Sequence, residues 1–466
     1  MAETIEKTQT TRKPLNPAVV MTIIVAIAGF LTYVLPAGRF ARDGDLVVPG
    51  SYEQVPKSFG FWDIFTGTGS ETAAAPVSLV QLLAAIPEGI VEQADLIFMV
   101  LFIGGMFGVL QRSGAIEAGL ERALSLTRGN IMLLAPVLMI VFSFGSTFLG
   151  MAKEYLLVIP MVVAMTDRLG ISRVAGLAIV AIPVKVGYLA SITNPYALSV
   201  AQPLVGVPIF SGMWLRVVTY IVMMAIGIAF VLWKIRRERA GQPPADYEFD
   251  VTPLSQRHTL ILITLAAGIA FMVFGSQHWD WSTTHLSAYY LFLAIVFAAE
   301  AKLGPSLMAE SFVTGMKKVM IAAVLIGMAT AVALVLKQGQ VLDSIVAGMV
   351  ATIGQHGPYV SAYGMLISQL GLDLAIPSTS GQAAVSMPIL GPVGQLAGVS
   401  SQATVFAFLM GNGLTNIITP TSSGLLIFLA TAEVGWVRWA KFVWPLVAIL
   451  IVVAAALLSI AVAVGY

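Results

Sequence analysis

The chain has 466 residues, 58% of them hydrophobic and 11% charged, with a mean hydropathy of +0.89 and a formal net charge of +1. Soluble globular proteins carry about 25% charged residues, so the composition predicts a polytopic membrane protein, and the near-zero charge argues against a nucleic-acid partner. With no cysteine there are no disulfides, no thiolate metal sites and no cysteine nucleophile.

The polar N-terminus, residues 1–17, is too long for a secretory n-region, and the apolar run that follows lacks a cleavage site, so it reads as a first membrane helix with the N-terminus cytoplasmic. Spanning needs roughly 20 apolar residues. Such runs fall near 18–36, 95–112, 174–192, 215–235, 257–275, 286–301, 319–337, 402–421 and 443–464. Segments 130–165 and 359–398 differ: each is an apolar arm, a Gly/Ser/Thr break, and a second arm containing Pro. The breaks read Phe144-Gly-Ser-Thr-Phe-Leu-Gly150 and Pro377-Ser-Thr-Ser-Gly381-Gln382, and both suit a re-entrant helical hairpin. Two further breaks, Ser191-Ile-Thr-Asn194-Pro195 and Leu414-Thr-Asn416-Ile-Ile-Thr419-Pro420, interrupt apolar runs at 174–210 and 402–423. Lipid offers no hydrogen-bond partners, so backbone broken at that depth must be buried in protein or line a cavity.

Charge orients these pieces. The cluster Lys234, Arg236, Arg237, Arg239 and Arg257 is the densest basic group and is predicted to be cytoplasmic. Arg112, Arg122, Arg128, Arg168 and Arg173 flank the first hairpin on both sides, so it enters and leaves on that same face. Lys317 and Lys318 before the 319–337 run, and the weakly basic 338–358 stretch after it, put the second hairpin on the outer face. The expected fold is therefore all-α with about 9–11 spans in two inverted repeats, each with a re-entrant hairpin and a broken helix. Its parts are an N-terminal tail, first helix and extracytoplasmic loop (1–94), repeat 1 (95–235), a cytoplasmic linker with connecting helices (236–318), and repeat 2 (319–466). Local matches support the repeat: Arg112-Ser-Gly114 with Lys337-Gln-Gly339, and Trp214-Leu-Arg216 with Trp439-Ala-Lys441, are both offset by 225 positions, and Asn194 with Asn416 by 222. Glycine-rich Phe102–Gly108 suggests close helix packing or a scaffold contact.

Asn and Thr at helix breaks supply neutral oxygens for a hard cation such as sodium, and amide N–H for a carboxylate. The candidate substrate and ion ligands are Ser146, Thr147, Thr193 and Asn194 in one half, and Ser378, Thr379, Ser380, Thr415, Asn416 and Thr419 in the other. The plain alternative is that these groups only satisfy backbone at kinks. Ionisable residues inside spans are costly and mark function by default, which singles out Lys153, Glu154, Lys185 and Asp373, with Gln382, as charge-coupling candidates. Lys153 and Glu154 also suit mutual neutralisation. No Gly-x-x-x-x-Gly-Lys-Ser/Thr loop, His-Glu-x-x-His motif or paired nucleophile and base occurs, so no enzyme and no ATP drive is expected in this chain. No cofactor is expected beyond sodium as a coupling ion.

At these same residues the sequence resembles a known family. Gly187-Tyr-Leu-Ala-Ser191-Ile-Thr-Asn194-Pro195 with Ala201-Gln202-Pro-Leu-Val-Gly206, and Ile376-Pro-Ser-Thr-Ser-Gly381-Gln-Ala-Ala-Val-Ser-Met-Pro388 with Gly411-Asn-Gly-Leu-Thr-Asn416, look like the YfcC group of the anaerobic four-carbon dicarboxylate carrier family. The resemblance implies an Ion Transporter superfamily fold, in which a scaffold domain often forms a homodimer while a transport domain moves. It also implies sodium and a substrate carboxylate at the hairpin and broken-helix motifs. Lys153-Glu154 departs from the paired acids of that pattern, which puts ion stoichiometry in doubt.

The expected function is a sodium- or proton-coupled secondary transporter in a bacterial cytoplasmic (inner) membrane, carrying a small organic carboxylate (a dicarboxylate, short-chain fatty acid or amino acid) by alternating access. The alternative is a basic amino-acid antiporter of the arginine/ornithine type, with Glu154 and Asp373 on the cationic side chain. A passive channel is the reading from a different class.

Overall fold

The computed structural model describes residues 17–43, 46–48, 50–58, 60, 62–66, 74–116, 118–119, 122, 130–239, 254–279, 281–353 and 356–466. The N-terminal tail and the polar centre of the linker, including Pro243 and Pro244, lie outside the described residues, as do the side chains of Lys153 and Glu154.

The chain begins with helix α1 (Pro17–Val34). Two small antiparallel ribbons follow, β1 (Ala37–Arg39) with β4 (Glu53–Val55), and β2 (Arg42–Asp43) with β3 (Leu46–Val47). Next come α2 (Asp63–Thr66), α3 (Leu79–Glu92) and α4 (Ala94–Arg112). The first long series is α5 (Ile131–Leu149), a 3-10 turn (Lys153–Leu157), α6 (Ile159–Arg168), α7 (Arg173–Ala190), α8 (Pro195–Leu204) and α9 (Met213–Arg239). Connecting helices α10 (Gln256–His278) and α11 (Thr283–Glu300) lead to α12 (Pro305–Gln338). The second series is α13 (Leu342–Ile353), α14 (Pro358–Ala375), α15 (Thr379–Leu396), α16 (Ser401–Thr415), α17 (Ser423–Thr431) and α18 (Trp436–Ala463). Six of these helices, α4, α5, α7, α9, α12 and α18, are long and apolar enough to cross a membrane; α1 and α10 carry shorter apolar stretches.

Local chemistry sets the ends. Ser172 caps α7 through the amide of Ala175, and Ser400 caps α16 through that of Ala403. Asn194 and Ser422 do the same for α8 and α17, and Pro at the first turn pre-sets α8, α12 and α14. Helix α5 stops at Gly150 (φ 68°), a left-handed turn that costs glycine nothing. Helix α7 stops at Ser191 (φ 46°), where a residue with a Cβ pays about 1 kcal/mol or more for the same turn.

Packing repeats between the two series. Helix α5 lies along α7 and α6 on α7; likewise α14 lies along α16 and α15 on α16. Across the series, α8 packs on α15, and α17 packs on α6 and the 3-10 turn. Outside them, α4 and α12 form a glycine seam. A Cβ on Gly315 would sit 2.1 Å from the Gly104 carbonyl oxygen, and one on Gly108 2.2 Å from that of Ser311. The two backbones therefore touch, as small-residue membrane interfaces allow. Helix α12 has 34 residues, about 50 Å at ~1.5 Å per residue. Lys317 and Lys318 thus lie inside one continuous helix, ahead of its apolar C-terminal portion.

The ribbons form a strap over one end of the second series. Phe40 N and Arg42 Nη2 both donate to the Asp343 carboxylate of α13, at 3.0 and 2.7 Å, and Tyr52 donates to Ser344 at 2.9 Å. A small core of Phe40, Val47, Val346, Leu372, Val385 and Ile389 joins the strap to α13, α14 and α15, apart from the main core.

Candidate functional site

The α7–α8 break is held against the end of α5. Ser146, fully buried, donates to the Val184 carbonyl at 2.7 Å. The Thr147 hydroxyl accepts the Ile192 amide at 3.2 Å, and its carbonyl accepts that of Thr193. Thr193 donates to the Phe148 carbonyl at 3.1 Å. Asn194 Oδ1 caps α8 by accepting the Tyr196 amide at 3.0 Å, while its Nδ2 is buried with no hydrogen-bond partner. Gly150 abuts that cap so closely that a Cβ there would lie 2.5 Å from Asn194 Oδ1.

The α16 side is a connected polar network. Asp373, fully buried on α14, accepts at Oδ1 from Asn412 Nδ2 (2.7 Å) and Asn416 Nδ2 (2.8 Å); its Oδ2 is buried and unpartnered. Asn412 also donates to Gln382 Oε1 at 2.8 Å and accepts from Thr379 at 3.0 Å. Gln382 donates onward to Gln369, and Ser422 donates to Asn416 Oδ1 at 2.6 Å. Lys185 on α7 makes no hydrogen bond or ion pair among the described residues. Its ammonium lies 6.0 Å from the centre of the Phe428 ring and within Coulombic reach of Asp373. Thus Thr379, Gln382, Asp373 and Asn416 are brought together, with Lys185 at the edge.

The remaining expected residues are split between two jobs. Ser378 caps α15, and with Thr379 and Ser380 lines a cavity. Thr415 donates to the Leu370 carbonyl at 3.1 Å, and Thr419 pairs with Thr421 at 2.7 Å, so both bind neighbouring structure. Lys153 and Glu154 open the 3-10 turn between α5 and α6.

That cavity, about 460 Å³, is lined by Gly150 and Ala152 just after α5, Ser378–Ser380 at the start of α15, Tyr188 and Tyr196 on either side of the first break, and Ser423 at the start of α17. Trp281 and Leu286 close it from the α11 side. A second cavity of about 730 Å³, beneath the strap and lined by Arg42, Lys337 and Asp343 among others, shares Ser380 with the first. Among the described residues no group of three His, Cys, Asp or Glu could hold a metal.

Two positional pairings expected from sequence come out differently. Asn194 starts a helix, whereas Asn416 ends one; the helix-starting role in the second half falls to Ser422. Trp214 is exposed and Arg216 buried, whereas Trp439 is buried and Lys441 exposed. Asn412, Gln369, Tyr188 and Tyr196 were not singled out by sequence. Asn412 had a signal, standing four residues before Asn416 and hence on the same helical face.

The model of the DcuC family, described as C4-dicarboxylate anaerobic carrier, matches residues 15–463. The chain belongs to the DcuC family. It is 30% identical over 397 residues, 80% of this chain and 78% of the relative, to the Escherichia coli (strain K12) protein named "Putative basic amino acid antiporter YfcC". It is 25% identical over 433 residues, 89% and 81%, to an uncharacterized Haemophilus influenzae protein. Among solved structures, the Alcanivorax borkumensis YdaH transporter matches with a TM-score of 0.45 and 15% identity, covering 97% of this chain and 99% of that one. As a DcuC family member the chain is a secondary transporter of a small molecule, a membrane protein and not an enzyme.

Proposed function

We propose that this DcuC family member moves a small organic carboxylate, amino acids included, by sodium- or proton-coupled alternating access in a bacterial cytoplasmic membrane. The observation that carries the reading is the convergence of three helix N-termini on one cavity: Tyr196 near the start of α8, Ser378–Ser380 at the start of α15, and Ser423 at the start of α17. Each N-terminus carries roughly half a positive charge, which favours an anion, and those of α15 and α17 also offer the backbone amides ahead of their capped ones. The buried, unpartnered Nδ2 of Asn194 adds a donor beside them. On the other side of the site, the open Oδ2 of Asp373 suits the coupling cation, with Thr, Asn and Gln oxygens around it.

In this reading α5–α6 and α14–α15 are re-entrant hairpins, α7–α8 and α16–α17 are broken helices, and the two series are inverted repeats. Their matched packing and reciprocal cross-contacts support it. The α4–α12 pair serves as scaffold, and the cavity under the strap serves as the outer approach to Ser380.

A basic amino-acid antiporter is the second reading, favoured by the name of the Escherichia coli relative and by Asp373 as partner for a cationic side chain. A thermal-shift screen of the purified protein with succinate, butyrate, L-serine and L-arginine, with and without sodium, tests both. Stabilisation by succinate that grows with sodium supports carboxylate symport; stabilisation by L-arginine alone, indifferent to sodium, supports the antiporter. If none of these carboxylates shifts the melting temperature, the anion cradle is not the substrate site. Uptake into proteoliposomes that ignores collapsed ion gradients would instead mark a passive channel.

A further inference from the structure

Arg216 is among the largest fully buried side chains, at 1% exposure, and it stands in the first turn of α9. A cation there opposes the helix dipole. None of the ion pairs among the described residues includes it. Its guanidinium is instead forked among carbonyls: Nη1 donates to Ser211 at 2.8 Å, and Nη2 donates to Phe210 at 3.1 Å and to Ile192 at 3.3 Å. Nη1 also lies 3.5 Å from the Tyr466 hydroxyl, and Nε is buried with no partner. Ile192 lies inside the α7–α8 break, two residues before Asn194.

The second half provides the control. Its break carbonyls, Ile417 and Ile418, are also satisfied from the following long helix, by the indole N–H groups of Trp439 and Trp436, each at 2.8 Å. A neutral donor therefore suffices to hold such a break. Burying an unpaired guanidinium for the same purpose costs far more than burying an indole, so hydrogen bonding alone does not account for Arg216.

We propose that Arg216 is a positioning residue of the transport site: a standing positive charge behind the α7–α8 break that holds Ile192 and biases the neighbouring cavity toward substrates of net negative charge. The inference rests on the carboxylate reading above and adds a selectivity that the three helix N-termini do not provide, since they attract the carboxylate of a zwitterion and of a dicarboxylate alike. The charge acts through the Ile192–Asn194 backbone and touches no substrate.

The test compares the parent with Arg216→Lys, which keeps the charge but loses the planar fork, and Arg216→Gln, which keeps a donor for Ile192 but loses the charge. Affinities for succinate and L-serine are measured by thermal-shift titration and by uptake KM. The parent binds succinate, the Lys variant keeps the parent's succinate-to-serine preference, and the Gln variant loses about tenfold of it, the order expected for one charge acting through a partly polar medium. A Gln variant that melts like the parent and keeps the same preference overturns the inference. So does a loss of both ligands in equal measure, which marks a purely structural clamp. Where the Gln variant does not fold, Arg216→Met replaces it as the neutral variant: a preference about tenfold below that of the Lys variant supports the inference and an equal one sinks it. A parent that binds neither probe fails the underlying carboxylate reading, and the inference with it.

Discussion

The two helix breaks are capped alike and carry opposite charges. Both follow a Ser-capped helix, its C-cap left-handed at Ser191 in the first and right-handed at Asn416 in the second, and both end where a polar side chain caps the next helix, Asn194 for α8 and Ser422 for α17. Ser146 and Asp373 stand at the same distance from the starts of α5 and α14, and each bonds the broken helix beside it. Yet the first break has a buried cation behind it and an unpartnered amide donor, while the second has a buried carboxylate with an unpartnered oxygen. The capping is alike and the buried chemistry opposite, donor groups standing at the first break and acceptor groups at the second.

The largest expected effect strikes the acceptor side. Asp373→Asn leaves an oxygen to accept from Asn412 and Asn416 but takes the charge assistance from both hydrogen bonds, and with it the charge available to a coupling cation. Accumulation of substrate against a gradient in proteoliposomes should fall about a hundredfold, whereas Ser146→Ala should leave it within a few-fold. Equal losses in both variants would dissolve the contrast. Gly413→Ala comes next, because its Cβ would lie 2.1 Å from that of Leu189. Overpacking there should lower stability by about 2 kcal/mol, and adding Leu189→Ala should not restore the melting temperature, because alanine keeps the clashing Cβ.

Asn194→Ser sharpens the donor side. It keeps a capping oxygen, so the melting temperature should hold, but it deletes Nδ2; KM should rise about fivefold, the worth of one hydrogen bond near 1 kcal/mol. An unchanged KM would remove Asn194 from the substrate's surroundings. Smallest is Arg42→Ala. Arg42 is 40% exposed, so its pairing with Asp343 should be worth less than about 1 kcal/mol and should fade in high salt, readable as a small salt-dependent melting shift.

Much of this was legible in sequence because membrane backbone breaks need visible chemistry. Gly150, Asn194-Pro195 and Ser378 mark helix ends by the same rules that operate in water. Residue identity misled where backbone role mattered: matching Asn194 to Asn416 paired a helix start with a helix end. Arg216 was visible only through its repeat match with Lys441, since nothing in a linear sequence tells that the carbonyls of Phe210 and Ser211 fold back over it. Asn412 hid between two glycines in an apolar run. The length of α12 was masked by Lys317 and Lys318, whose charges interrupt hydropathy but not helical hydrogen bonding.

The strap has a consequence for watching the protein work. It is fastened to α13 by Asp343 and Ser344, and through Val47 and Phe40 it shares a small core with Leu372 on α14 and Val385 on α15. Any shift of α14 and α15 must carry the ribbons along or peel them from Leu372 and Val385. A dye at exposed Glu53 therefore becomes a pointer attached to those two helices, and an antibody fragment gripping the ribbons becomes a brake.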